Sequence, residues 1–272
     1  TKRSYISSTS HELAPKSGRE SFVPGVVGAP IARQGTPRGR GRPWQHGHVT
    51  DRPLPELRRN LEAIAEPADV EPMAAYMQDR YSYLGVKTPA RRAASKELVR
   101  TADGWSLDAV IGFVDECWAQ PEREFQYVGC DVVSRQAQRF GPDRLPDLRR
   151  WVATKSWWDT VDVLASHGVG TVTRAHAECA NEMEVWVLDD DIWIARTAIL
   201  HQLRWRSDTD EEQLFRFVLV RAHEAEFFLR KAAGWALREY AKVAPGSVRR
   251  FVGEHEDDLS SLTRREALKH LV

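Results

Sequence analysis

Ser106-Leu-Asp-Ala-Val-Ile-Gly-Phe-Val-Asp-Glu-Cys-Trp-Ala-Gln120, a break at Pro121-Glu122, and then Arg123-Glu-Phe-Gln-Tyr-Val-Gly-Cys-Asp-Val-Val-Ser-Arg-Gln-Ala-Gln-Arg-Phe140 form the stretch that decides the fold. On both sides of the break, apolar residues recur three and four positions apart, the period of a helix with one buried face. Two helices joined by so short a proline-marked gap lie antiparallel. The pattern extends outward in both directions. Leu54–Glu66, Asp69–Arg80 and Thr88–Ala102 precede the stretch. Arg144–Thr154, Ser156–Arg174, His176–Leu188, Ile192–Arg206, Asp210–Ala225, Glu226–Val243, Ser247–Glu256 and Thr263–Leu271 follow it. The breaks are short and carry Gly, Pro or acidic clusters, and no convincing alternating β run interrupts them. Start signals agree: Thr88-Pro89 places an N-cap before a first-turn proline, and Thr209-x-x-Glu212 and Ser156-x-x-Asp159 read as capping boxes. Many helices with tight connections do not make a four-helix bundle. The expectation is all-α, an α-solenoid of antiparallel helix pairs with a concave face.

Composition narrows what the chain does. Its 272 residues are 42% hydrophobic and carry 39 Lys+Arg against 39 Asp+Glu, so net charge makes no case for a nucleic-acid partner. The balance hides an asymmetry. Residues 1–53 hold nine Lys/Arg against three acids and include Gly35-Thr-Pro-Arg-Gly-Arg-Gly-Arg-Pro43, which has no apolar periodicity. They read as a basic, disordered N-terminal extension, with the helical domain at 54–272. No run nears the roughly 18 apolar residues of a membrane span, and no secretory h-region is visible at the start. Cys117, Cys130 and Cys179 form no CxxC pair, so neither a zinc site nor a disulfide framework is expected, and the chain reads as cytoplasmic.

Three segments carry chemistry. In Ser156-Trp-Trp-Asp-Thr-Val-Asp-Val-Leu-Ala-Ser-His167, Trp158 and Asp162 share a helix face, Trp157, Val161 and Leu164 point inward, and Asp159 sits where a carboxylate caps the helix. In Asp191-Ile-Trp-Ile-Ala-Arg196, the cation falls one turn into a helix and opposes its dipole. It therefore needs either a structural carboxylate or a ligand anion. In Phe227-Phe-Leu-Arg-Lys-Ala-Ala-Gly-Trp-Ala-Leu-Arg-Glu-Tyr240, small residues surround Trp235, and Gly234 implies close backbone approach. Each residue also has a plain reading, as packing or as surface charge. His167, His176 and His201 are dispersed and read as structural or surface residues.

Taken together, the motifs Met73-Ala-Ala-Tyr-Met77, Tyr83-Leu-Gly-Val-Lys-Thr-Pro89, Gln120-Pro-Glu-Arg-Glu-Phe-Gln-Tyr127, Ser156-Trp-Trp-Asp-Thr-Val-Asp162, Arg196-Thr-Ala-Ile-Leu-His-Gln-Leu203, Lys231-Ala-Ala-Gly-Trp-Ala-Leu-Arg-Glu-Tyr240 and Ser261-Leu-Thr-Arg-Arg-Glu-Ala-Leu-Lys-His270 resemble the AlkD-like family of DNA alkylation-repair glycosylases, built of HEAT-like repeats. The resemblance implies a catalytic aspartate at Asp162 flanked by Trp158 and Trp235, a phosphate-contacting Arg196 and a supporting Tyr76. Lys87 stands where some relatives carry a DNA-contacting Gln, beside Thr88. The implied activity is hydrolysis of the N-glycosidic bond of cationic N3- or N7-alkylated purines in duplex DNA, without cofactor and without base flipping. The implied protein is a monomer acting in the cytosol or nucleoid. Arg230, Lys231, Arg238, Lys242, Arg249 and Arg250 are expected to line the DNA groove. A noncatalytic DNA-structure-binding paralogue would be expected to lack the Trp/Asp set, whereas in a protein scaffold these residues would be packing and surface, with an apolar ridge and no basic groove.

Overall fold

The computed structural model describes residues 53–271. Helix follows helix throughout: α1 (Pro53–Glu62), α2 (Pro67–Tyr76), α3 (Thr88–Thr101), α4 (Leu107–Ala119), α5 (Arg123–Gln136) and α6 (Leu145–Ala153). Next, α7 (Trp158–Val163) runs through a π-helical turn (Leu164–Val169) into α8 (Gly170–Ala175). The remainder is α9 (Ala180–Val187), α10 (Ile192–Leu200), α11 (Glu211–Val220), α12 (Phe227–Tyr240), α13 (Pro245–Glu254) and α14 (Ser261–Leu268). Among the described residues β structure is limited to one isolated bridge, Ser82 to Glu122. The fold is all-α and solenoid-like. The segment 1–53 lies outside the described residues except for Pro53, which opens α1 and is buried. No helix among the described residues is long and apolar enough to cross a membrane.

Alternate helices pack side by side. The run α3, α5, α7–α8, α10, α12, α14 forms one row in which each member packs on the next. The helices between them pack on their neighbours from the other side. One continuous core joins the two layers, with Phe113, Phe125, Leu148, Trp151, Leu164, Trp186 and Phe217 almost wholly buried. Gly234 supplies the close approach expected of it. A Cβ there would lie 2.5 Å from the Cβ of Glu266 and 2.9 Å from the Thr263 carbonyl, so α12 and α14 touch backbone to backbone.

Several boundaries differ from the sequence pattern, each for a local reason. The second helix stops at Tyr76 rather than Arg80, because Gln78 and Asp79 adopt left-handed φ angles of 57° and 56°. The tenth helix stops at Leu200, and the chain turns before Arg206. The N-cap of α3 is Lys87, not Thr88. The N-cap of α11 is Asp210, whose carboxylate accepts from the Gln213 amide, so Thr209 does not cap. The N-cap of α7 is Trp157, with no side-chain bond, so Ser156 and Asp159 form no capping box.

Candidate active site

The row of alternate helices brings Trp158, Asp162 and Arg196 together, with Tyr76 against Trp158. Trp158 opens α7, and Asp162 follows one turn later on the same face. Facing them from α10 is Arg196. Its Nε donates to Asp162 Oδ1 at 2.7 Å and its Nη2 to Oδ2 at 2.8 Å, a two-pronged pair. Its Nη1 donates to the Phe228 carbonyl at the start of α12. The Arg196 side chain is 4% exposed and that of Asp162 is 14% exposed, so the arginine is the more deeply buried partner and Asp162 lies just behind the cleft wall that Trp158 and Asp159 line. Arg196 thus has the structural carboxylate that its place near a helix N-terminus called for. Burial pushes the Asp162 carboxyl above its ordinary pKa, while Arg196 pulls against that and Asp159 adds to it.

Asp159 has a different partner. It does not cap α7. The fully buried Arg123 donates to it through Nε at 2.9 Å and through Nη2, and the Tyr127 hydroxyl donates to Oδ2 at 2.7 Å. Tyr83 extends the chain to Tyr127, at 3.2 Å. Burial, with the Asp159 charge adding to it, drives the Tyr127 hydroxyl well up, and burial lifts Tyr83 to about 12, so both phenols stay protonated as hydrogen-bond donors. Arg123 also donates to the Lys155 carbonyl at 2.8 Å, fixing the residue before Ser156. Glu124 accepts the backbone amides of Leu84, Gly85 and Val86, which pins the loop leading to α3. Together these bonds set the start of α7 and hence the direction of Trp158.

The two indoles at the start of α7 part company. Trp157 is buried against Trp193 and Phe228, with the Arg80 guanidinium 3.9 Å over its ring. Trp158 faces a cleft of about 800 Å³. The Tyr76 ring meets it edge-on at 6.2 Å and is itself 64% exposed. Lys87 and Thr88 line the same cleft, and Lys87 Nζ bonds Asp69 Oδ1 at 2.5 Å. Trp235 is half-buried against the core on α12, two turns beyond Phe228 and so on the same helix face as the residue that anchors Arg196.

The expected groove cations are mostly occupied. Lys231 and Arg238 both pair with Glu266, Lys242 with Glu239, and Arg250 lies 3.9 Å from Glu211. Arg230 donates to the Glu224 carbonyl at 2.6 Å, and Arg249 to the Leu271 carbonyl. Burial works against charge on Glu266, yet its two cations hold it below the usual carboxylate range.

Sequence reasoning missed Arg123, Tyr127 and Tyr83 as the frame of the site, although all three lie in the quoted motifs. The signal was available for Arg123: like Arg196, it is a cation near the start of its helix, against the dipole.

The family described as DNA alkylation repair enzyme matches residues 57–271. A solved structure, a predicted DNA alkylation repair enzyme from Enterococcus faecalis, superposes with a TM-score of 0.72 at 29% identity, covering 76% of this chain and 97% of its own. No protein of curated function matches.

Proposed function

This chain belongs to the DNA alkylation repair enzyme family, and we propose that within it the chain is a DNA glycosylase, hydrolysing the N-glycosidic bond of cationic N3- or N7-alkylated purines in duplex DNA. The observation that carries the reading is the Arg196-held carboxylate of Asp162, one turn from an indole that faces an open cleft.

An alkylated purine already bears positive charge. Its bond to C1′ breaks with the electron pair leaving on the purine, which departs neutral and needs no general acid. Positive charge then develops on the deoxyribose. The Asp162 carboxylate opposes that charge and orients water, which adds to C1′ and gives up its proton to that carboxylate. Arg196 is a positioning residue: it keeps both oxygens of Asp162 fixed and favours the ionised form despite burial. The indoles of Trp158 and Trp235 attract the cationic nucleotide, at roughly 0.5–2 kcal/mol each. The sugar, rather than the base edge, is what this arrangement reads, so the base need not leave the stack. Tyr76, Lys87 and Thr88 serve DNA contacts at the cleft and Arg230 and Lys231 serve them from α12, and the enzyme acts as a monomer without a cofactor.

The test is release of free base from duplex DNA carrying N7-methylguanine. Wild type releases it and Asp162→Asn is slower by orders of magnitude. Equal rates for the two proteins would refute the role of Asp162.

A further inference from the structure

An amine and a carboxylate face the cleft of Trp158 from the start of α3 and from α2, whereas Trp158 faces it from α7. Among the lysines of the described residues, Lys87 is the one that lines this cleft. Lys155 donates to the Gln120 carbonyl, Lys231 pairs with Glu266, Lys242 pairs with Glu239, and Lys269 lines a hollow between α13 and α14. The Lys87 side chain is 64% exposed, and its Nζ bonds Asp69 Oδ1 at 2.5 Å. Asp69 lines the same cleft.

The backbone fixes this pair. Lys87 is the N-cap of α3, and its carbonyl accepts the Arg91 amide at 2.9 Å. Just before it, Glu124 holds the amides of Leu84, Gly85 and Val86. A Cβ on Gly85 would fall 2.2 Å from the Glu66 carbonyl oxygen, so this loop packs directly on the residue that caps α2. The Glu66 amide donates to the Gly85 carbonyl at 3.3 Å. Asp69 and Lys87 are thus set against each other by the chain on both sides. Asp69 lies two turns before Tyr76 on one helix face, about 10 Å along α2, and Tyr76 meets Trp158 edge-on. The cleft of about 800 Å³ spans that distance.

Water addition at C1′ leaves an abasic sugar, whose ring opens to a C1′ aldehyde. That sugar has no base to keep it in the stack. We infer that the chain carries a second activity at this cleft: Lys87 cleaves the abasic strand as a Schiff-base lyase, with Asp69 as its acid–base partner. The inference rests on the glycosylase reading for the source of its substrate. Asp69 takes a proton from the Lys87 ammonium, and the freed Nζ adds to C1′. Asp69 returns that proton to the departing hydroxyl, which leaves as water, and an iminium joins Nζ to C1′. The iminium acidifies C2′. Asp69 takes the C2′ proton, the electron pair of that bond forms C2′=C3′, and the C3′–O bond breaks with its pair leaving on the 3′ phosphate. Water then hydrolyses the iminium and returns the amine. No oxidant or reductant enters the sequence.

The test uses the full chain and a duplex with a single abasic site made beforehand by excision of uracil, so that no base release is required. In borohydride, which reduces the iminium to a stable amine, wild type is expected to become covalently joined to the DNA, with the adduct mapping to the peptide that holds Lys87. Without borohydride it cuts the strand on the 3′ side of the site. Lys87→Arg keeps the cation and forms no such imine, so adduct and cutting fall to the level without protein, at protein concentrations that saturate the DNA. Asp69→Asn is expected to slow cutting by about 100-fold, the lower range of a general acid–base contribution. Lys96→Arg, at an exposed lysine of α3 outside the cleft, serves as the control and keeps the adduct. No adduct with wild type, or an adduct of undiminished yield in Lys87→Arg, overturns the lyase alone. A wild type that cuts the abasic duplex through Lys87 and releases no base from N7-methylguanine overturns the glycosylase reading and leaves the lyase standing.

Discussion

Asp162 and Asp159 lie three residues apart on one helix, yet their surroundings give them opposite tasks. Asp159 is held by a fully buried arginine and a phenol, with nothing left to offer a substrate. Asp162 is held by Arg196 alone, and its side chain keeps 14% exposure. Because its pKa is raised by burial, base release should fall with decreasing pH at a midpoint above that of an ordinary aspartate, and a pH–rate profile reads this directly. Arg196→Ala removes the partner that opposes burial, so the acid limb should move further up in pH as the rate drops. An unmoved limb would mean that Arg196 does not hold the carboxylate. Arg123→Ala should act on folding instead. It leaves Asp159 buried without its partner and costs about 3–5 kcal/mol, read from denaturant midpoints. At this scale the sequence was legible where spacing and polarity spoke together: Trp158 and Asp162 at one turn, and the unfavourably placed Arg196. It was illegible for Arg123–Asp159–Tyr127, because a partner thirty-odd residues away leaves no periodic trace.

At the scale of elements, the helix pattern was legible almost throughout, because one buried face per helix imposes its period on the sequence. The ends were less so. Left-handed φ at Gln78 and Asp79 stops α2 in a segment whose apolar spacing continues through Met77 and Tyr81, since propensity carries no record of such a turn. The π-helical turn at Leu164–Val169 was likewise invisible, as one extra residue per turn preserves an apolar face while re-aiming His167. Gly234 was legible and makes a prediction. Gly234→Ala forces α12 away from Thr263 and Glu266, and overpacking of this kind costs about 1–3 kcal/mol despite the better helix propensity of alanine. A raised or unchanged melting temperature would show that the α12–α14 contact yields easily. His201, at the end of α10, is buried and its pKa is pushed down to about 4, chiefly by desolvation. The unfolded chain takes up a proton near 6.5 that the folded one refuses until about 4. Stability from this residue is therefore complete above pH 6.5 and is lost as pH falls towards 4. Urea midpoints should fall more steeply with acidification in wild type than in His201→Asn.

At the scale of the whole molecule, the stacked row is what turns residues far apart in sequence into one site. Trp158 and Asp162 come from α7, Arg196 from α10 and the Phe228 carbonyl from α12, each helix packed on the next. That assembly follows from a solenoid-like order of helices, so fold and site were legible together once the order was read. Net charge was the poorest guide. Zero overall conceals cations already paired on α12, and Arg91 and Arg92, which share the single carboxylate of Asp131. The central claim is that Asp162, held by Arg196, opposes charge on the sugar of an alkylated nucleotide. The most direct measurement is the single-turnover rate of base release from duplex DNA containing N7-methylguanine, for wild type and Asp162→Asn at saturating protein. Release by wild type, slowed by orders of magnitude in the variant with DNA affinity retained, is the predicted result. Release at the same rate by both would contradict it.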